Sequence, residues 1–556
     1  MLTIEPRLKR KKKTLPNTLR HWIDRNILEL GREMRISYFP PLMVYCAAGI
    51  SGLTGIVGTF FVKDYLGLSA AFLAALGFWA GIPWALKMPI GHTVDLLWKH
   101  KAGLVYLGAA LIAVSLIIMI GLIADPQLMR RMMSAEVWFI LSALLSPIGY
   151  VMQDAVADAM TVEAVPRFTP TGEPVSAETR RLMNTTMQTL GRVAIIGGSV
   201  LVALVNVYMF AGTGRLPEAA KVEIYVRVYQ MALIIPALSV VGVVWAGIMR
   251  RRERRRLVVA GAHAETLAAF DNPGGEEPTQ PNWWILGGSL LFVAITVSVG
   301  LSDLPYAQEI IFLSSFGVIA FLMGKLLREL DDEARRTLLG TAIVIFVFRA
   351  MPGPGAGSTW WMIDHLGFDQ SFLAKLSLIG SGLTLSGLFL FRRMMAERSI
   401  AWIVAFLTLA STFLSLPIVG MFYGLHHWTA AHTGGVVDAR FIALVDTALE
   451  SPLGQISMVP MLAWIANSAP PRLKATFFAV MASFTNLALS AAQLGTKYLN
   501  EIYVVTRQVL DPKTGTMTVP ADYSQLGTLL VTVTLVGLLL PLLAILATRV
   551  AGLRSA

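Results

Sequence analysis

Apolar stretches of about 20 residues recur from residue 39 to residue 548, each long enough to cross a bilayer as a helix. Nothing constrains this chain more. Lipid offers no hydrogen bonds, so each crossing segment must satisfy its backbone internally, which leaves helices packed side by side. Fourteen spans are predicted: 39–62, 70–89, 102–123, 135–157, 186–206, 229–249, 283–301, 306–326, 338–358, 372–391, 399–422, 439–465, 472–495 and 526–548. Composition agrees. The 556 residues are 55% hydrophobic and 15% charged, where a soluble chain carries about a quarter charged residues. The chain is expected to be an all-α polytopic membrane protein, and "RLKRKKK" near the start lacks the early apolar core of a secretion signal.

A net charge of +11 raises the question of nucleic acid, but the distribution answers it. Lys and Arg gather on alternate loops: "KRKKK" (9–13), "RRRERRR" (250–256), Arg335 and Arg336, Arg392 and Arg393. That asymmetry places both termini and the linker in the cytoplasm, facing the anionic lipid of a cell inner or plasma membrane. No nucleic-acid partner is implied. One cysteine, Cys46, excludes an internal disulfide, and eight scattered His show no metal-ligand spacing. With no phosphate-binding loop and no nucleophile–base pair, neither an enzyme nor a cofactor is expected.

The chain also repeats itself. "TFFVKDYLGLSAAFLAAL" from Thr59 and "TWWMIDHLGFDQSFLAKL" from Thr359 share eight of 18 positions, among them Asp64/Asp364, Gly67/Gly367 and Phe72/Phe372. "SPIGYVMQDAVADAMTVEAVP" (146–166) aligns without gaps to "SPLGQISMVPMLAWIANSAPP" (451–471). The first match pairs span 1 with span 9, and the second pairs span 4 with span 12. Two six-helix bundles in parallel repeat are therefore expected, residues 39–249 and 338–548, with two inserted helices at 283–327. A basic segment, 1–38, precedes them, and a cytoplasmic linker, 250–282, joins them. Parallel six-helix repeats define the major facilitator fold, with substrate held between the halves and access alternating as they rock.

The repeat then sorts the charges. Asp154, Asp158 and Glu163 on span 4 align with Val459, Ala463 and Ser468, so the acids belong to one half. Asp154 and Asp158 are four apart and share a helix face. They read either as a cytoplasmic gate or as a proton- or substrate-coupling site, since acids at membrane depth are expensive. Lys87 is either a snorkelling lysine or a partner for these acids. Gly91 and Asp95 resemble the loop signature of major facilitator transporters, which implies a gate role for Asp95. Arg349 stands about twelve residues into span 9, where its repeat mate is Gly49. A bare guanidinium facing lipid would cost at least ~3 kcal/mol. Arg349 is thus either paired with Glu450 or open to an anionic substrate, whose carboxylate its planar fork fits. Asp446 and Glu450 on span 12 are again four apart. The "PGPGAG" after Arg349 cannot continue as a regular helix and predicts a bend.

Three stretches resemble the folate-biopterin transporters of the major facilitator superfamily: "PWALKMPIGHTVD" (83–95), "QDAVADAMTVEAVPR" (153–167) and "LGQISMVPMLAWIANSAPPRLKATFFAVMASFTNL" (453–487). "HLGFDQSFLAKL" is similar to the family's second-half loop. The resemblance implies a symporter that moves folates or pterins with protons. Val165 and Pro166 depart from the Ala-Arg pair that commonly ends the motif. The two extra helices also resemble the fourteen-span muropeptide permeases, so a muropeptide-type or other organic anion permease is the alternative. A non-transporting scaffold or sensor is a third reading, and it requires that the buried charges all pair with one another.

Overall fold

The computed structural model describes Arg32 and residues 34–555 apart from 67, 86, 98–99, 167–174, 260, 262–266, 268–269, 271–282, 301, 303, 329, 392–393, 396–397, 454–455, 457–473 and 511–516. Helices run back and forth between two faces. The face that holds the Phe39 start and the Val550 end is called terminal below, and the opposite one distal.

The first bundle comprises α1 (Phe39–Gly49), α2 (Gly55–Tyr65), α3 (Ala70–Ala85), α4 (Lys87–Leu96), α5 (Ala102–Ala124), a short distal α6 (Pro126–Met132), α7 (Ala135–Ala164), α8 (Ala177–Met209), α9 (Glu218–Ala232) and α10 (Ile234–Val259). The inserted pair is α11 (Trp283–Gly300) and α12 (Ala307–Leu327). The second bundle has α13 (Asp332–Arg349), α14 (Ala356–Leu366), α15 (Gln370–Leu390), α16 (Ile400–Phe422), a short distal α17 (Leu425–His432), α18 (Ala439–Glu450), α19 (Lys474–Ile502) and α20 (Leu526–Val550). Two short strands, β1 (Val509–Leu510) and β2 (Met517–Val519), pair antiparallel on the distal face. The architecture is all-α, two six-helix bundles plus an inserted pair.

Among the described residues, eleven helices are long and apolar enough to cross a membrane. The other three expected spans fall on α13–α14, which residues 351–355 interrupt, on α18, whose continuation lies outside the described residues, and on α19. Sequence chemistry sets their ends. Side chains of Asp125, Ser134, Ser176, Asp331, Asp369, Ser399 and Asp438 cap helix N-termini by accepting a backbone N–H. Gly367 closes α14 in the left-handed conformation at φ 65°, and the Phe368 N–H returns to the Met362 carbonyl.

The expected bend is present. Residues 351–355 leave the helix between α13 and α14, with Gly355 at φ 75°. The freed backbone is satisfied from α19, where Thr496 Oγ1 accepts from the Gly353 N–H at 2.9 Å and Asn500 Nδ2 donates to the Pro354 carbonyl at 3.3 Å. Span 1 breaks at the same repeat position, though less deeply, as a 3₁₀ turn over Ile50–Thr54. Nothing in its sequence announced that. One expectation of boundary shifts: α10 does not stop near 249 but continues through the arginines to Val259. Arginine is a good helix former, so the polar run extends the helix rather than ending it. Beyond Val259 most of the 250–282 linker lies outside the described residues, as do Val459, Ala463 and Ser468.

The halves meet along two seams, α3 against α19 and α8 against α15. The repeat relates α3 to α15 and α8 to α19, so these are one contact made twice around a pseudo-two-fold axis.

Candidate functional site

The span-4 acids sit on α7, an unbroken 30-residue helix, and two of them, Asp154 and Asp158, point at α4. Lys87, the first residue of α4, places Nζ 2.5 Å from Asp154 and 2.8 Å from Asp158. The choice left open by the sequence is thereby settled: Lys87 is a partner, not a snorkelling lysine. Four-residue spacing on α7 makes this possible, because it aims both carboxylates at one ammonium. The Tyr45 hydroxyl on α1 donates to Asp158 at 2.6 Å, and Arg192 on α8 lies close enough to act electrostatically on Asp154 and Tyr45. Three helices of one half thus converge on two acids. Asp158 keeps 44% of its side chain exposed against 16% for Asp154, so water reaches Asp158 first.

Glu163 belongs to a separate contact. Two turns nearer the terminal face, it pairs with Lys101 at 2.6 Å and Arg250 at 3.0 Å, tying α7 to the starts of α5 and of the arginine extension of α10. Asp95 lies two turns beyond Lys87 on α4, and its side chain is outside the described residues.

In the second half the Arg349–Glu450 pair, one of the two readings of Arg349, does not form. Arg349 closes α13 and its Nε donates to the Thr485 carbonyl on α19 at 3.2 Å, with no ion pair among the described residues. Glu450 is exposed at the end of α18. The 3₁₀ turn after it, Ser451–Leu453, leans on α15: Thr384 Oγ1 donates to the Ser451 carbonyl at 2.9 Å, and a Cβ on Gly387 would strike Pro452. That packing draws Glu450 toward α15 while Arg349 turns to α19. Asp446 is buried, and its Oδ1 has no hydrogen-bond partner among the described residues. Position 349 and its mate face the same helix of their own halves. A Cβ on Gly49 would lie 2.2 Å from the Ile195 carbonyl oxygen of α8, so α1 and α8 touch where α13 and α19 leave space for a guanidinium.

A third cluster was missed from the sequence. On the distal face Lys63, on the last turn of α2, reaches Asp364 of α14 at 2.5 Å and Asp64 at 3.3 Å. The Tyr523 hydroxyl donates to the other oxygen of Asp364 at 2.6 Å. Burial first, then this bond, pushes the Tyr523 phenol well above its ordinary value. Arg507, in the loop after α19, reaches across to the Val62 carbonyl at 3.0 Å and lies over the Trp360 ring, 5.0 Å from its centroid. Buried Gln370 donates to the Tyr225 hydroxyl at 2.7 Å. All of these except the neighbouring Lys63–Asp64 pair join the two halves or hold the residues that do. The signal was in the repeat, which keeps an aspartate at 64 and at 364.

Against known proteins, the model of the BT1 family, the folate-biopterin transporters, matches residues 48–552. The chain belongs to this family. A folate-biopterin transporter from Synechocystis sp. is 22% identical over 450 residues, covering 80% of this chain and 71% of the relative. Solved structures show the same fold. A POT family transporter in complex with 5-aminolevulinic acid superposes with a TM-score of 0.57 at 13% identity, over 94% of this chain and 96% of that one. A peptide transporter of the POT type gives 0.52 at 16% identity, over 94% and 95%. The BT1 family member described here is a multi-pass membrane transporter with a fold of major facilitator type, not an enzyme.

Proposed function

We propose that this chain is a proton-coupled carrier for folate- or pterin-like organic anions, with both termini in the cytoplasm. The observation that carries the coupling is the Lys87–Asp154–Asp158 triad. One ammonium holds two carboxylates, so protonating the more exposed Asp158 leaves a neutral Lys87–Asp154 pair, and the site accepts a proton without stranding a charge. Tyr45 on α1 senses that change through its bond to Asp158. Arg349 supports the anion reading, because among the described residues only its Nε is committed, leaving the terminal nitrogens to take a carboxylate.

The distal ion pairs hold the outer side closed, and alternating access requires that they part when that side opens. Substrate and proton then bias the same movement from different helices: Arg349 beside α19, and the triad between α4 and α7. Uptake of labelled folate, biopterin and anhydro-muropeptide into vesicles, with and without an imposed pH gradient, tests this. Folate or biopterin accumulation that needs an acidic outside supports it. Gradient-independent flux ends the coupling proposal, and accumulation of anhydro-muropeptide alone reassigns the substrate.

A further inference from the structure

The inserted pair does not belong equally to the two halves. Its apolar face joins the second bundle's core, where Ile285, Ile319, Leu322 and Met323 pack with Leu338, Val344 and Ile345. Phe316 of α12 meets Phe346 of α13 and Phe484 of α19, with ring centroids 5.7 Å and 6.3 Å apart. At the distal end Glu309 accepts from the Tyr498 hydroxyl and pairs with Lys497 at 3.3 Å, both on α19. An interlocked aromatic core and a charged tie make this side of the contact a unit.

Toward the first half the chemistry changes. Gln308 Nε2 donates to the Ala75 carbonyl of α3 at 3.2 Å, and the edge of the Trp79 ring comes so near Gly300 that a Cβ there would sit 3.0 Å from it. Phe78 and Ile82 of α3 cluster with Phe292, Ile311 and Leu494. Among the described residues, and apart from one bond to a backbone carbonyl, this contact is apolar. Gln308 is buried with its Oε1 unpartnered among the described residues, a costly state that parting the contact would relieve. Beneath it, the α3–α19 seam is lined by glycine: Gly77 and Gly81 face Gln493 and Ser490, at 2.8 Å and 3.1 Å from where a Cβ would stand.

We infer that α11 and α12 travel with the second half and clasp α3 only while the distal side is closed. Release of the Gln308–Ala75 bond and of Trp79 from Gly300 is then a step of distal opening. This rests on the alternating-access reading above.

The test uses the full chain with Cys46→Ala. Ala75→Cys with Gln308→Cys, linked by a short bis-methanethiosulfonate, joins α12 to α3. Phe316→Cys with Phe346→Cys, linked in the same way, joins α12 to α13. The first link is expected to cut folate or biopterin uptake at least tenfold, reversibly with reductant, and to slow hydrogen exchange of residues 59–65 and 359–366. The second is expected to leave uptake within twofold of the unlinked protein. Unchanged uptake and exchange under the first link, or equal loss under both, overturns the clasp. If the unlinked parent takes up neither probe, the function proposal fails and the exchange readout alone decides the clasp.

Discussion

Removing Lys87 tests the triad most directly. Lys87→Met keeps the chain length and apolar stem but leaves Asp154 and Asp158 four residues apart on α7 with no ammonium between them. Breaking a fully buried ion pair costs about 3–5 kcal/mol, and an exposed one contributes at most about 1 kcal/mol. These side chains keep 16–44% of their exposure, so the loss should fall between, at about 1–3 kcal/mol. Asp154→Asn alone should cost less, because Lys87 retains Asp158 at 2.8 Å. In the double variant the repulsion disappears, since one carboxylate remains and keeps its bond from Tyr45. A double-mutant cycle read by denaturation in mixed micelles should therefore give a coupling of at least about 1.5 kcal/mol, well above the ~0.5 kcal/mol scatter of independent sites. Additivity within that scatter would refute the argument, for it would mean that Lys87 and Asp154 are solvated separately.

Asp364→Asn strips the distal closure of its interhelical charge and should speed hydrogen exchange of residues 59–65 and 359–366 about 5- to 30-fold, the range of a lost 1–2 kcal/mol; unchanged exchange would show that apolar packing alone seals that face. Arg349→Lys keeps the charge without the fork and should weaken folate binding more than thermal stability. Because no Arg349–Glu450 pair is formed, Arg349→Ala and Glu450→Ala should add within about 0.5 kcal/mol, and a larger coupling would restore the pair. On the distal face, burial and then His427 lower the pKa of His426. The folded state there binds a proton less readily than the unfolded one, so stability present above about pH 6.5 is lost as pH falls through and below that value. Corrected hydrogen exchange across 425–438 should quicken between pH 7.5 and 5.5, and His426→Gln should flatten the difference.

The sequence by itself determined what lipid demands locally. Backbone satisfaction and a run of about 20 apolar residues are properties of a segment, so spans such as 102–123 and 526–548 were legible to within a few residues. The break after Arg349 followed from proline's missing donor, and the two-half architecture from the repeat. Asp154, Asp158 and Lys87 stood out because charge at membrane depth is costly. Which charge meets which was decided only by the tertiary structure. Lys87 is 67 residues from Asp154 and Lys63 is 301 from Asp364, and such partners depend on how far each helix is rotated about its axis. A shift of one residue turns a side chain by about 100°. Arg349 and Glu450 were at similar depth, yet the turn at Ser451–Leu453 leaned one toward α15 and left the other on α19. Depth follows from counting residues along one helix. Pairing follows from packing many helices at once, because each rotation is fixed by the apolar contacts of its neighbours rather than by the charges it carries.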